Sequence, residues 1–306
     1  CEIKLSPFNL KECEDYFKNE NIEMSRYDIV QSYMVFGGIP YYLSYFKKGM
    51  SFEGNADNIL FGKNPRLKDE FNRLFNAIFS NPEDCKKIIR LLAKKHAGFT
   101  REEIAKETGL PFGGGLTDTL NALVESDFIQ RYRPYNVSGK VSFYKLIDNF
   151  SLFWLKYVEP NTEDINFMTD NMTSNIMRVW RGVAFEEVCW QHIGQIKRAL
   201  GISGVSSSIS AWSVKGNDNK EGVQIDLLII RNDNVVNLCE MKFAGDIYSI
   251  DKEEDAKIRN RIQTLINTLS PKQSVHLTMI TTYGVSHTMY GGRVQQQVIL
   301  DDLFQS

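Results

Sequence analysis

The chain has 306 residues, 42% of them hydrophobic and 12% aromatic, enough for two or three ordinary domains with substantial cores. Its 36 lysines and arginines are offset by 38 aspartates and glutamates, giving a net charge of −2 and an isoelectric point near 6.2, so it lacks the overall basic footprint that drives nonspecific nucleic-acid binding. No apolar run approaches the roughly 20 residues that span a bilayer, the charged start is not a signal peptide, and Cys1, Cys13, Cys85, Cys189 and Cys239 lie at irregular spacings that read as free thiols in a reducing cytoplasm.

The chain opens at Cys1 on what reads as a strand already under way, Glu2-Ile3-Lys4-Leu5, as a fragment would. Helical periodicity follows over residues 10 to 19, 25 to 36 with Ser25 as N-cap, 40 to 47 and 66 to 79, so residues 1 to 80 form a small helical unit. A second unit, residues 81 to 150, starts with a helix over 85 to 96 whose Ile88, Ile89, Leu91 and Leu92 make an apolar face. Thr100 and Glu103 form a capping box on a short helix ending at Gly109, and Leu116, Leu120, Leu123 and Val124 mark a third helix. Segments 128 to 133 and 140 to 146 read as a β-wing, completing a winged-helix pattern.

Two uses of that pattern stay open, base reading by the third helix and packing or partner contact. Charge favours the second, because residues 109 to 130 contain no lysine or arginine while Asp118, Glu125 and Asp127 would repel phosphate. Any nucleic-acid contact is therefore expected from the wing, through Arg131, Arg133, Lys140 and Lys145. Residues 151 to 170 read as a linker.

Residues 171 to 306 read as an α/β domain: a helix from about 182 to 200, strands over 206 to 214, 223 to 230, 235 to 243 and 275 to 282 in a mixed sheet, and a helix from 251 to 269 with Ile258, Ile262, Leu265, Ile266 and Leu269 at helical spacing. The second and third strands flank the turn-forming Arg231-Asn232-Asp233-Asn234 and form a hairpin. Glu240 and Lys242 share one face of its second strand by alternation. Asp226 joins them if it sits opposite Glu240, which requires a three- or five-residue loop or a bulge; a two- or four-residue loop brings Cys239 opposite instead. Two converging carboxylates suit a hard cation such as Mg²⁺, or Mn²⁺ in its place, and a neighbouring lysine suits water positioning or charge stabilisation at a phosphate. Cys189-x-x-His192 has no second Cys/His pair and reads as helix packing rather than a zinc site.

Asp226, thirteen residues, then Glu240-x-Lys242 resembles the PD-(D/E)XK nuclease superfamily, in which an upstream helix commonly supplies a further acid. Glu186, in Phe185-Glu186-Glu187, is favoured for that role over Glu187; the proline of the superfamily name is replaced by Ile225, a position without a catalytic atom. Gly37-Gly38-Ile39-Pro40-Tyr41-Tyr42-Leu43 resembles the GGxPxYL element of archaeal-type AAA+/STAND ATPases, where a helical lid follows the nucleotide-binding core. That resemblance implies adenine contact by Pro40, and by Gly38, with ATP in the full-length protein.

The order of lid, winged helix and nuclease-like domain resembles the same ATPase family over nearly the whole chain, supported by Trp180-x-Gly182-x-x-Phe185-Glu186 and the closing Leu300-Asp301-Asp302-Leu303-Phe304. No Gly-x-x-x-x-Gly-Lys-Ser/Thr loop occurs, so the resemblance implies a P-loop domain elsewhere in the full-length protein and no ATPase activity in this chain. The expected fold is thus multi-domain, and the expected function is Mg²⁺-dependent phosphodiester hydrolysis with Asp226 and Glu240 on the metal and Lys242 and Glu186 in catalysis. The alternative is a non-catalytic regulatory or protein-interaction module of a STAND-type switch. A nucleic-acid partner and a homo-oligomer stay open, and no membrane partner is expected.

Overall fold

The structure is a computed structural model that describes residues 6–135, 141–161, 163–214 and 222–305. The expected strand at 2 to 5 and Lys140 lie outside the described residues. The chain divides into two units, residues 1–132 with 142–184, and residues 133–141 with 185–306. The boundary falls inside a helix after Ala184, and residues 6–80 share a unit with all of the described part of 81–150 except 133–135 and 141.

Local capping explains where the first helices start. Helix α1 (Leu10–Asn19) opens on a reciprocal box, with the Glu12 amide donating to Asn9 at 2.9 Å and the Asn9 amide to Glu12 at 2.7 Å. Helix α2 (Arg26–Phe36) has Ser25 as its N-cap, as the sequence predicts. Helix α3 (Pro40–Leu43) is a single turn, half the expected length. Between α2 and α3, Gly37 has φ 62°, and a Cβ at Gly38 would lie 1.8 Å from the Phe8 carbonyl oxygen. The Phe8 amide donates to the Gly38 carbonyl at 2.7 Å, so the glycine pair lets two backbones meet.

The sequence reading passes over the next element, α4 (Phe52–Ala56), which runs on through a π-helical turn at Asp57–Phe61. That turn aims the buried Asp57 carboxylate at the start of α10 (Phe167–Asn171), where it accepts from the Met168 amide at 2.7 Å, the Thr169 amide at 3.0 Å and the Thr169 hydroxyl at 2.6 Å. Three donors offset the cost of burying the charge. Helix α5 (Glu70–Ile78) then packs Phe71 and Phe75 inward.

Helix α6 (Pro82–Leu92), α7 (Arg101–Thr108), α8 (Gly114–Glu125), β2 (Ile129–Tyr132) and β3 (Phe143–Leu146) follow in the expected order, and strand β1 (Phe99–Thr100), which the sequence reading passes over, completes an antiparallel three-stranded sheet ordered β1-β3-β2. The expected linker carries packed helical structure at 151–158 and 167–170. Helix α9 (Asn149–Phe153) and a π-helical turn at Trp154–Val158 bury Phe150, Phe153, Trp154 and Tyr157, whose helical spacing puts large rings on one side. Trp154 stacks on Phe71 with ring centroids 4.7 Å apart and donates to the Lys68 carbonyl at 2.8 Å.

Helix α11 (Asn175–Gln191) crosses the boundary between the units, and α12 (Ile193–Ala199) follows it. The second unit is built on a five-stranded sheet ordered β4 (Ser207–Val214), β5 (Val223–Arg231), β6 (Val235–Lys242), β7 (Ser274–Thr281) and β8 (Gln296–Ile299). The first three strands are antiparallel; β6, β7 and β8 are parallel, and α13 (Lys252–Ile266) connects β6 to β7. Val236, Leu238, Leu277 and Met279 form one apolar face with Ile258 and Leu265 of α13.

Replacing Gly38 by Ala is expected to destabilise the first unit by about 1–3 kcal/mol, because backbone must move to admit the Cβ. Gly115→Ala, inside α8 with nothing within 4 Å of its Cβ, is expected to stabilise by up to about 1 kcal/mol. Urea unfolding of both variants checks the pair.

Candidate functional site

The β5–β6 hairpin closes through Asn232, Asp233 and Asn234, with Asn234 in the left-handed region at φ 65° and the Arg231 guanidinium holding the Asp233 carboxylate. Of the loop lengths open to the sequence, the three-residue one is present. Pairing runs from Ile230–Val236 to Leu227–Cys239, and one residue further along each strand stand Asp226 and Glu240.

A bulge then sorts these side chains. Ser210 of β4 pairs with Leu228 but Trp212 pairs with Ile225, so Ala211 alone faces both Asp226 and Leu227. Ile225 and Leu228 consequently enter the same apolar cluster as Val236 and Leu238, and Asp226 leaves the strand with Gln224, away from it. Gln224 donates to Asp226 at 2.6 Å, and carboxylate oxygens of Asp226 and Glu186 lie within 4.8 Å of each other. Trp190 fixes α11 here by donating to the Asp226 carbonyl at 2.9 Å, and Phe185 packs on Phe243 with centroids 5.3 Å apart. Glu187, the neighbouring acid, is fully buried, whereas Glu186 is partly exposed.

Glu240 and Lys242 follow Val236 and Leu238 in the alternation and meet α13 instead. Arg261 contacts Glu240 at 3.0 Å and Glu254 contacts Lys242 at 2.7 Å. The structure therefore brings Asp226 to Glu186 and gives Glu240 and Lys242 a partner each, so the three hairpin charges do not leave one face as the sequence reading expected; the bulge is the reason. Arg261 and Glu254 escaped that reading, although they stand in phase with Ile258 and Leu265 on the core-facing stripe of α13, where a charged residue needs a partner.

Burial pushes the Glu240 carboxyl up to about 7, against the pull of Arg261 and Lys242, with Glu254 and Asp226 adding to the rise. Burial works against the Lys242 ammonium, but its hydrogen bond to Glu254 and the surrounding negative charge leave its pKa raised. Cys189 and His192 are buried, with the His192 ring nitrogen Nδ1 at 2.8 Å from the Val188 carbonyl, and burial lowers this histidine to about 4.

The other expected contact residues are dispersed. Pro40 lines a groove of about 490 Å³ with Phe8, Phe128 and Asp148, while Gly38 is taken up by its contact with Phe8. Arg131 and Arg133 are exposed. Lys145, expected to touch nucleic acid, is only 3% exposed, because β3 is the central strand of its sheet and is covered on both faces, Tyr144 and Leu146 being buried on one and Lys145 on the other. Helix α8 presents Asp118, Asn121 and Glu125 to solvent. Among the described residues the cysteines at 13, 85, 189 and 239 are free and buried, and no helix is long and apolar enough to cross a membrane.

No family model matches the chain. It is 27% identical over 237 residues to an uncharacterized protein of Methanocaldococcus jannaschii, an alignment covering 76% of this chain and 50% of that protein. The chain thus spans about half the length of this relative. A crystal structure of a Vibrio cholerae protein aligns over 79% of this chain and 55% of that one at 12% identity, with a TM-score of 0.26.

Glu240 binds its proton more tightly in the folded chain, at about 7, than at its ordinary value of 4.5. Its contribution to stability is thus fully present below the ordinary value and is lost as pH rises through about 7. Thermal melts of the metal-free protein from pH 4 to 8 are expected to show Glu240→Gln gaining on the wild type across that window; parallel curves would contradict the assignment.

Proposed function

We propose that the second unit is a metal-dependent phosphodiesterase domain of the PD-(D/E)XK type. The observation that supports this reading is the approach of the Asp226 and Glu186 carboxylates to within 4.8 Å, at the open end of a hairpin that also carries Glu240 and Lys242. Two hard oxygen donors from different elements fit Mg²⁺ or Mn²⁺, and Gln224 holds Asp226 in place. A divalent cation, when bound, supplies a Lewis acid for a phosphate. Lys242, partly exposed, offsets the negative charge that builds on the phosphate in the transition state. Glu240, near 7, has the proton affinity of a general base at neutral pH.

The first unit, on this reading, is a helical lid followed by a winged helix, supported by the order α6-β1-α7-α8-β2-β3 and the β1-β3-β2 sheet. ATP then belongs to a P-loop domain of the full-length protein, with Pro40 near the adenine. Nucleic acid would meet Arg131 and Arg133 rather than α8, whose solvent face is acidic.

One observation favours a second reading, a non-catalytic interaction module: Glu240 is 8% exposed and already paired with Arg261. Calorimetric titration with Mn²⁺ separates the two. Asp226→Asn and Glu186→Gln are expected to weaken binding by more than about tenfold, while Lys242→Ala spares binding and removes cleavage. If the wild type takes up no Mn²⁺ and the full-length protein with ATP and Mn²⁺ cuts neither DNA nor RNA, the interaction module replaces the nuclease.

A further inference from the structure

A cleft of about 520 Å³ in the first unit, within the size range of small-ligand sites, lies between the C-terminal end of α6, the α9 segment and α11. Its rim is cationic. Lys94, Lys95 and Lys156 line it, and among the described residues none of the three has a carboxylate partner; Lys95 and Lys156 instead lie 5.1 Å and 5.9 Å from the ring centroids of Phe99 and Trp180. Glu159, the acid in the lining, is held by both terminal nitrogens of the Arg90 guanidinium and so does not neutralise them.

The floor is apolar, formed by Leu146, Leu152, Leu155 and Val183. Trp180 closes it at 2% exposure, and its indole Nε1 is buried with no hydrogen-bond acceptor. Leaving a buried donor unmatched costs about 1–3 kcal/mol. The lining thus offers unmatched donors and positive charge over an apolar base, and what complements it is a compact anion rich in acceptors and joined to a flat apolar body.

We propose that this cleft binds a nucleoside phosphate, the phosphates on Lys94, Lys95 and Lys156 and the base on the leucine floor. The same chemistry is offered by a free nucleotide and by the end of a single strand, and both would use the same lysines. Burial lowers the Lys156 pKa, so an anion arriving there meets an ammonium whose charge is incompletely compensated. Its lysines and apolar floor need no divalent cation to hold a phosphate.

Fluorescence anisotropy in EDTA, with a labelled nucleoside triphosphate and separately with a labelled short single-stranded oligonucleotide, tests this without involving the metal reading. Saturable binding of at least one probe is expected, weakened by at least about tenfold in the Lys94→Glu, Lys95→Glu double variant. Val183→Phe, which fills the floor, should weaken it as well, with circular dichroism confirming the fold of each variant, and Lys48→Glu, at an exposed lysine outside the cleft, should leave it unchanged. The probe that binds more tightly identifies the source of the ligand. Absence of binding by both probes, indifference to the lysine changes, equal loss through Lys48→Glu, or equal competition by a glutamate-rich peptide would overturn the assignment.

Discussion

Ala211 of β4 faces two residues of β5, Asp226 and Leu227, and the side chains on either side of that point take their places from it. Without the extra residue, strict alternation would send Ile225 and Leu228 to opposite faces and put Asp226 in the apolar cluster. With it, both aliphatic residues enter one core and the carboxylate is released toward Glu186. A bulge of this kind costs ladder hydrogen bonds and is retained where it re-aims a side chain. The rest of the candidate site is arranged around that displacement.

Elements with a local cause are legible in the sequence. Ser25 marks the start of α2, Thr100 with Glu103 marks α7, and the alternating Val, Ile and Leu of 223 to 242 give the hairpin strands. Elements with a distant cause are not. The π-helical turn at Asp57–Phe61 owes its fixed geometry to donors more than a hundred residues away at Met168 and Thr169. Strand β8, four residues with two glutamines, carries no strand pattern of its own and is defined by its pairing with β7. Residues 151–170 look like a connector only while the rings at 150, 153, 154 and 157 are considered without Phe71 and Trp180 to meet them.

The site shows the same division. Asp226, Glu240 and Lys242 stand out in the strand pattern and Glu186 only through the family resemblance, and the three-residue turn places the first two across from each other. The bulge depends on β4, a neighbour whose register is a tertiary fact, so the parting of Asp226 from Glu240 has no local signature. Lys145 illustrates the converse: a lysine in a presumed wing reads as exposed, and only the packing of β3 turns it inward. The glycines at 37 and 38 have a sufficient reason in backbone geometry, a positive φ and a close approach by Phe8, which leaves any nucleotide contact at that corner to rest on Pro40.

The pairs joining β6 to α13 have a further consequence. Strand and helix each contribute one acid and one base, Glu240 and Lys242 against Arg261 and Glu254, so the patch is electroneutral when Glu240 is ionised and carries one net positive charge when it is protonated. Proton release at Glu240 therefore uncovers a carboxylate that already faces a guanidinium, and the contact of Glu254 with Lys242 ties α13 to the strand at a second point. The charge that Glu240 gains on ionising is thus met inside the fold, so a change of pH alters one strand–helix tie while the other holds.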